Sequence, residues 1–194
     1  MIKSLDILIQ QCTACHLCKN NPKDTTPVPG IGPTNAKLMI VGICPGIEEV
    51  YNSMPFVGRC GKLLRKTLIN NGLNEQDIYI TNVVKCVSRI GNKNVDPDRQ
   101  IQKLCANMWL EQEMALIKPK VIITLGAIPL KIICNQKLRD CIDNSPMLIH
   151  FDTFQPYIVC NYHPSYIMQH GKHHFDLFNH QFQLARKILD GRDS

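Results

Sequence analysis

The residues most suited to chemistry in this sequence are its thiols. The chain of 194 residues has 10 cysteines, and Cys12, Cys15 and Cys18 lie close together near its start. Thiols two residues apart can bind one metal ion or one edge of an iron–sulfur cluster. Cys86 and Cys105 follow far along the chain, where folding could bring them beside the N-terminal pair. Because zinc and iron–sulfur clusters both accept four thiolates, the spacing leaves the two open.

The first two of these cysteines also match another pattern. Cys12-x-x-Cys15-His16 has the spacing of c-type haem attachment, which requires export. No basic and then apolar leader opens the sequence, so haem attachment is disfavoured. Several other cysteines, such as Cys134 and Cys160, lie in apolar runs, and we expect them to be small buried hydrophobes.

Three further segments could line a binding pocket. Residues 42–46, Gly-Ile-Cys-Pro-Gly, permit a tight turn whose backbone amides face a ligand. Phe56 lies shortly after that turn and could pack in the core or stack on a planar ligand. His163 is followed by Pro164 and Ser165. A histidine held in this way can offer a ring donor, and the serine suits a phosphate.

Strands and helices must position these residues, and the hydrophobic pattern predicts both. Short, nearly continuous apolar runs predict buried parallel strands at 37–42, 78–84, 121–126 and 157–160. Helical patterns cover 59–72, 97–117, 127–135 and 174–190. The alternation predicts one three-layer α/β/α domain over residues 1–194, with a four-stranded, mostly parallel central sheet. Ligands of such sheets bind beyond the carboxyl ends of the strands, where the pocket segments lie.

Composition and charge exclude some classes of protein. With 44% hydrophobic and 20% charged residues, the chain is not disordered. No apolar run approaches the roughly 20 residues of a membrane span, so we expect a cytoplasmic protein without a membrane partner. The formal net charge of +6 suits a polyanionic partner but also suits many ordinary enzymes. We expect a monomer.

Together, the segments resemble family 4 uracil-DNA glycosylases, the iron–sulfur branch of the uracil-DNA glycosylase superfamily. They keep the family's order from near residue 12 to near residue 186, so the resemblance covers almost the whole chain. The segments that carry it are Cys12-x-x-Cys15-x-Leu17, 28–32, 42–46, 55–64, 81–86, Cys105, 119–126 and His163-Pro164-Ser165.

The resemblance implies one cofactor and a set of roles around an extruded base. A [4Fe-4S] cluster that supports the structure would bind the thiolates of Cys12, Cys15, Cys86 and Cys105. The family pattern lacks a third N-terminal cysteine, so the role of Cys18 is open. Phe56 would stack on the extruded base, Asn82 would hydrogen-bond its edge, and His163 would donate to the base oxygen that gains negative charge. The pocket wall would comprise Gly42, Ile43, Cys44, Pro45, Gly46 and Ile47.

DNA is the partner that the resemblance implies, and several residues are expected to contact it. Lys85 and Ser165 would each meet a phosphate. Tyr166, Ile167 and Met168 lie where the superfamily inserts an apolar wedge into the duplex. The same three residues could instead pack on their own domain. His170, His173 and His174, with Lys172, are expected to form a weakly basic surface near the DNA backbone rather than a zinc site.

The sequence departs from the family at the pocket. Family 4 carries Glu at the position of Ile43, and related families carry Asp or Asn at the position of Cys44. A thiol there could act as a nucleophile only if a neighbouring base or positive charge ionised it. We therefore expect Cys44 to be a wall residue. Ile47 and Val50 also replace acidic residues on the side that faces the pyrimidine C5 position.

Three functions are compatible with these departures. The first is a monofunctional uracil-DNA glycosylase in which water needs positioning more than deprotonation. The second is a glycosylase specific for a bulky C5-modified pyrimidine, hydroxymethylated or glucosylated. The third is a catalytically inactive iron–sulfur protein that binds DNA. The retained Phe56, Asn82 and His163 favour an enzyme of base excision and DNA repair. No lysine is placed to act as the amine of a lyase step.

Overall fold

The computed structural model describes residues 4–15, 26–91 and 93–192. Its strands are β1 Leu38–Gly42, β2 Ile78–Asn82, β3 Arg89–Ile90, β4 Lys93–Asn94, β5 Val121–Leu125, β6 Met147–Leu148 and β7 Tyr157–Asn161. Its helices are α1 Leu5–Thr13, α2 Ile47–Asn52, α3 Arg59–Asn70, α4 Arg99–Cys105, α5 Glu111–Ile117, α6 Ala127–Cys134, α7 Leu138–Cys141, α8 Pro164–His170 and α9 Lys172–Leu189.

The central sheet has the strand order β2-β1-β5-β7-β6. The four strands predicted from the apolar runs are mutually parallel, with Leu38 opposite both Ile78 and Val121. The predicted four-stranded sheet is therefore present, but a fifth strand, β6, joins its edge antiparallel to β7. A strand of two residues is too short to leave an alternating pattern in the sequence. The expected α/β class with helices on both faces is confirmed.

Burial explains why the apolar runs of the sequence predict the parallel strands. Every residue of β1, β2 and β5 is buried, so an uninterrupted apolar run is the stable composition. One apolar cluster packs on each face of the sheet, around Trp109 on one side and around Phe178 and Phe182 on the other. The clusters anchor the strands, and the carboxyl ends of β1, β2 and β7 are thereby held together at one edge.

The predicted helix at 97–117 is interrupted. A π-helical segment, Ala106–Leu110, lies between α4 and α5. Single-turn π segments of this kind are rare and are frequent at functional sites. It directly follows Cys105, one of the predicted cluster ligands. Across the part of the chain that the structure describes, no helix is both long and apolar enough to cross a membrane.

Candidate active site

A cavity of about 510 Å³ lies beyond the carboxyl ends of β1, β2 and β7. It brings together most of the residues that were expected to surround an extruded base. Those that line it are Ile43, Cys44, Pro45, Gly46, Ile47, Phe56, Asn82, His163 and Ser165. Gly42 lies at the base of the cavity, where only a glycine fits. A Cβ added there would overlap Asn82 Oδ1 and lie 2.5 Å from Phe56 Cζ. Residues far apart in the sequence thus form one concave site, as ligand pockets of α/β sheets do.

His163 is held as a neutral hydrogen-bond donor. Its Nδ1 accepts a hydrogen bond from the backbone N–H of Ser165 at 3.2 Å, and the Ser165 hydroxyl lies 2.7 Å from the same nitrogen. A backbone N–H can only donate, so Nδ1 carries no proton and the ring proton is on Nε2. Burial lowers the pKa of His163 to about 4, and the nearby Asp96 carboxylate opposes this shift. At neutral pH the ring therefore offers one uncharged N–H donor.

Phe56 has an unusual backbone that sets the direction of its ring. Its φ is 56°, in the left-handed region that bulky residues rarely adopt. Arg65 donates a hydrogen bond to the Phe56 carbonyl, and Glu75 accepts from the Arg65 guanidinium at 2.7 and 2.8 Å. Gly61 allows this loop to lie against α3, because a Cβ there would overlap the Phe56 carbonyl. The ring lies 6.3 Å from that of His163, centroid to centroid. Strain of this kind is typical of functional sites.

Asn82 ends β2 and is buried at the base of the cavity. Its neighbour across the sheet is Gly42, the last residue of β1. The Lys85 ammonium donates to the Asn82 carbonyl at 2.7 Å. The amide side chain, which has both a donor and an acceptor, therefore stands on a backbone that is fixed from both sides.

Glu49 connects the two loops of the pocket, a role that the sequence did not suggest. Its carboxylate accepts from the Gly46 N–H at 3.0 Å and from the Gly58 N–H at 2.9 Å. Gly46 belongs to the turn after β1, whereas Gly58 follows Phe56. The only sequence signal was that Glu48 and Glu49 keep the acidity of this segment. The carboxylate thus ties the pocket wall to the loop that presents the aromatic ring.

Asp96 is a second residue that sequence reasoning missed. It follows the β3–β4 hairpin, is exposed, and lines the cavity together with Asn94 and Val95. Its charge acts on both His163 and Cys44. Burial raises the pKa of the Cys44 thiol to about 11, and Asp96 adds to this shift. Cys44 is consequently a neutral thiol at physiological pH, which agrees with a wall residue rather than a nucleophile.

The expected phosphate contact of Lys85 is wrong. The side chain is 1% exposed, and its ammonium pairs with the Glu113 carboxylate at 2.7 Å. Glu113 also accepts from Tyr79 at 3.2 Å, from Thr81 at 2.9 Å and from the Gly30 N–H at 3.3 Å. A lysine inside this network cannot reach DNA. The sequence could not distinguish it from a surface lysine, because its partner lies 28 residues further along the chain, in α5.

The predicted wedge residues lie on the short helix α8, and their side chains differ in exposure. Ile167 is 5% exposed and packs in the apolar cluster around Phe178, so a wedge role for it is wrong. Met168 is 42% exposed. The Tyr166 ring stacks on His170 at a centroid distance of 3.9 Å. Ser165 already uses its N–H and hydroxyl on His163, and its phosphate contact stays a prediction. The side chains of Lys172 and His173 lie outside the described part.

The predicted cluster ligands converge on a second, smaller cavity. The cysteines Cys15, Cys86 and Cys105 line it beside Trp109 and Met108. Cys12 belongs to the same buried apolar cluster, and burial raises the pKa of its thiol to about 12. The Lys85 backbone N–H donates to Cys105 Sγ at 3.3 Å. Cys18 lies outside the described residues.

Four thiols are a donor set that a four-iron cluster accepts. Among residues 4–15, 26–91 and 93–192, no three His, Cys, Asp or Glu side chains already form the site of one metal ion. Each thiolate of a four-iron cluster binds a different iron, so the four sulfurs surround a cavity instead of one point. Three of the four predicted ligand thiols, from three separate segments, line one small apolar cavity, and Cys12 belongs to the apolar cluster beside it.

Comparisons with known proteins give one consistent result. The family model for the uracil DNA glycosylase superfamily matches residues 29–185. The type-4 uracil-DNA glycosylase of Thermotoga maritima is 34% identical over 182 residues, which cover 94% of this chain and 86% of the relative. That of Archaeoglobus fulgidus is 37% identical over 134 residues, which cover 69% of this chain and 65% of the relative. The match thus spans just under two thirds of the Archaeoglobus protein. A DNA polymerase of Bacillus phage SP01 is 28% identical over 173 residues, 89% of this chain but 17% of that protein.

Proposed function

This chain belongs to the uracil-DNA glycosylase superfamily, and we propose that it hydrolyses the N-glycosidic bond of an extruded uracil in DNA. The products would be free uracil and an abasic site. The observation that supports this most directly is the neutral His163 donor in the same cavity as Phe56 and Asn82. The names of the relatives favour uracil over a C5-modified base and favour an active enzyme over an inactive DNA-binding protein.

Recognition of the base uses Phe56 and Asn82. An extruded uracil is planar, and stacking on an aromatic ring contributes about 1–3 kcal/mol per base. This offsets part of the few kcal/mol needed to extrude the nucleotide. Uracil also presents carbonyl oxygens and an N–H on its edge, which the Asn82 amide can match with one donor and one acceptor. The pocket would thereby select a pyrimidine and hold it in one orientation.

Bond cleavage uses His163. As the C1′–N1 bond breaks, its electron pair moves into the base and negative charge collects on a ring carbonyl oxygen. A neutral Nε2–H already aimed at that oxygen stabilises the charge, and one preorganised donor of this kind contributes about 3–4 kcal/mol. Because Ser165 fixes the other ring nitrogen, the ring does not need to reorient during the reaction.

The 4Fe–4S cluster is part of this proposal. Cys12, Cys15, Cys86 and Cys105 would hold it, and its chemistry would be structural, since hydrolysis of the glycosidic bond transfers no electron. Lys85 and Glu113 would then fix the segment between Asn82 and Cys86 from within. DNA is the proposed partner, with Tyr166 and Met168 of α8 as contacts.

A substrate panel tests the proposal. The purified protein is incubated with oligonucleotides that contain uracil, a thymine mispair, 5-hydroxymethylated or glucosylated pyrimidines, and abasic sites are cleaved with alkali. We expect cleavage at uracil, and a loss of cleavage in His163→Ala with DNA binding retained. Cleavage only at modified pyrimidines would replace uracil as the substrate. Binding without release of any base would contradict the enzyme assignment.

A further inference from the structure

Hydrolysis of the glycosidic bond needs a water molecule, and the turn after β1 has no carboxylate or amide side chain to orient it. Ile43 is apolar, and Cys44 is a buried, neutral thiol. The carboxylates that line the cavity are those of Glu48, Glu49 and Asp96. Both oxygens of Glu49 already accept hydrogen bonds from backbone amides. The Glu48 carboxylate lies beside Gly58, since a Cβ added at Gly58 would be 3.3 Å from Glu48 Oε2.

Glu49 acts electrostatically on Cys44, whereas Asp96 acts on both Cys44 and His163. Asp96 approaches the cavity from the hairpin side, and its charge is felt by His163 and by Cys44, which lie at the ends of two different strands. The Val95 backbone N–H donates to the Ser88 carbonyl at 3.0 Å, and the next residue, Pro97, is buried. The backbone on both sides of Asp96 is therefore anchored, and the residue lines the cavity.

We propose that Asp96 orients the attacking water and takes up its proton, in place of the carboxylate that is absent at positions 43 and 44. This inference rests on the glycosylase function proposed above. The oxygen of water bonds to C1′ while the C1′–N1 bond breaks, and the electron pair of that bond leaves with the base. One water proton passes to Asp96 and from there to the departing base, so the carboxylate is regenerated. The negative charge of Asp96 also stabilises the sugar cation as it forms.

The position of this carboxylate predicts opposite effects of its removal on DNA binding and on base release. An acidic side chain at the mouth of a DNA-binding pocket repels phosphates, so its removal should strengthen or preserve DNA binding. If Asp96 also acts on the water, its removal should slow base release. A residue that only supports the hairpin would weaken binding and catalysis together.

The experiment compares Asp96→Asn with Asp98→Asn under single-turnover conditions on an oligonucleotide with one uracil. Asp98 caps α4 by accepting from the Gln100 N–H at 2.7 Å, and asparagine caps equally well, so the control removes the same charge two residues away. We expect Asp96→Asn to release uracil about 100-fold more slowly, with equal or tighter DNA binding, and Asp98→Asn to match the unmodified protein.

Chemical rescue adds a readout that a structural role would not move. Sodium formate, compared with sodium chloride at equal ionic strength, should partly restore uracil release by Asp96→Ala and should leave His163→Ala unchanged. An Asp96→Asn variant as fast as the unmodified protein would overturn this inference and leave the proposed function standing. An unmodified protein that releases no uracil would overturn both.

Discussion

The active-site pocket around His163 and the thiol cavity lined by Cys15, Cys86 and Cys105 lie at opposite ends of the segment from Asn82 to Cys86, and they are organised differently. In the pocket, hydrogen bonds within the chain already position the functional groups, as Ser165 does for His163 and Glu49 for the two loops. Near the thiol cavity, burial in apolar surroundings raises the pKa of the Cys12 thiol to about 12. Hydrogen bonds therefore hold the pocket side chains in place, whereas the Cys12 thiol packs in apolar surroundings.

Lys85 connects these two regions. Its ammonium donates to the Asn82 carbonyl, while its backbone N–H donates to Cys105 Sγ. One residue therefore contacts both the backbone of Asn82 and the thiol of Cys105. Variants in each region therefore show whether the two regions respond separately or together.

The largest expected effect is at the thiols. Cys86→Ser should abolish the brown colour and the bound iron, because serine replaces one of the four proposed cluster ligands, and it should also destabilise the fold. Iron analysis, visible absorption and thermal unfolding measure this. Cys44→Ser, which changes a thiol in the pocket wall, should keep its iron. Bound zinc in a colourless protein would contradict the cluster assignment.

The next largest effect is in the buried ion pair. Lys85→Met leaves the Glu113 carboxylate buried without its partner and should lower the free energy of unfolding by about 3–5 kcal/mol. Urea unfolding checks this, with Lys103→Met as the matched control, because Lys103 is exposed on α4. Adding Glu113→Leu to Lys85→Met should recover much of the loss. If Lys85→Met were as stable as Lys103→Met, the Lys85–Glu113 ion pair would contribute little to stability.

A smaller effect is expected from the carboxylate that ties the pocket loops. Glu49→Gln leaves one acceptor oxygen for the two amides of Gly46 and Gly58, and an unsatisfied buried donor costs about 1–3 kcal/mol. We expect lower thermal stability together with slower uracil release. Glu48→Gln removes the same charge from an exposed neighbour and should change neither property. Equal effects of the two variants would show that the negative charge matters here, and not the two hydrogen bonds that Glu49 accepts from Gly46 and Gly58.

The smallest effect concerns pH. Because the pKa of His163 is about 4 in the folded protein, the rate of uracil release should be unaffected by this residue between pH 8 and 5 and fall as pH drops through about 4. Unfolded histidine has a pKa near 6.5, so the unfolded state binds the extra proton between these values. Stability should therefore decrease as pH falls from about 6.5 to 4, and His163→Gln should remove that component. A decline in rate centred near 6.5 would show that the ring is not held neutral.

The pattern of apolar runs predicted the parallel strands because strands buried on both faces must be continuously apolar. It could not reveal β6, which has two residues, or the π segment after Cys105, which has no distinct composition. Most pocket residues were identified because each follows a strand in a motif with a family resemblance. The roles of Asp96 and Glu49 were missed, because contacts between a carboxylate and residues of other loops have no characteristic spacing in the sequence.

By itself, the sequence determined the α/β class, the family and the set of side chains that could stack, hydrogen-bond or bind metal. Those properties follow from local periodicity and from residue types in order. Only the tertiary structure decided which charges face the pocket. It buried Lys85 against Glu113 and placed Ile167 in the core, while Asp96 reached the cavity on a hairpin. The physical reason is that burial and charge pairing depend on contacts between distant segments, and a side chain's chemistry follows from those contacts.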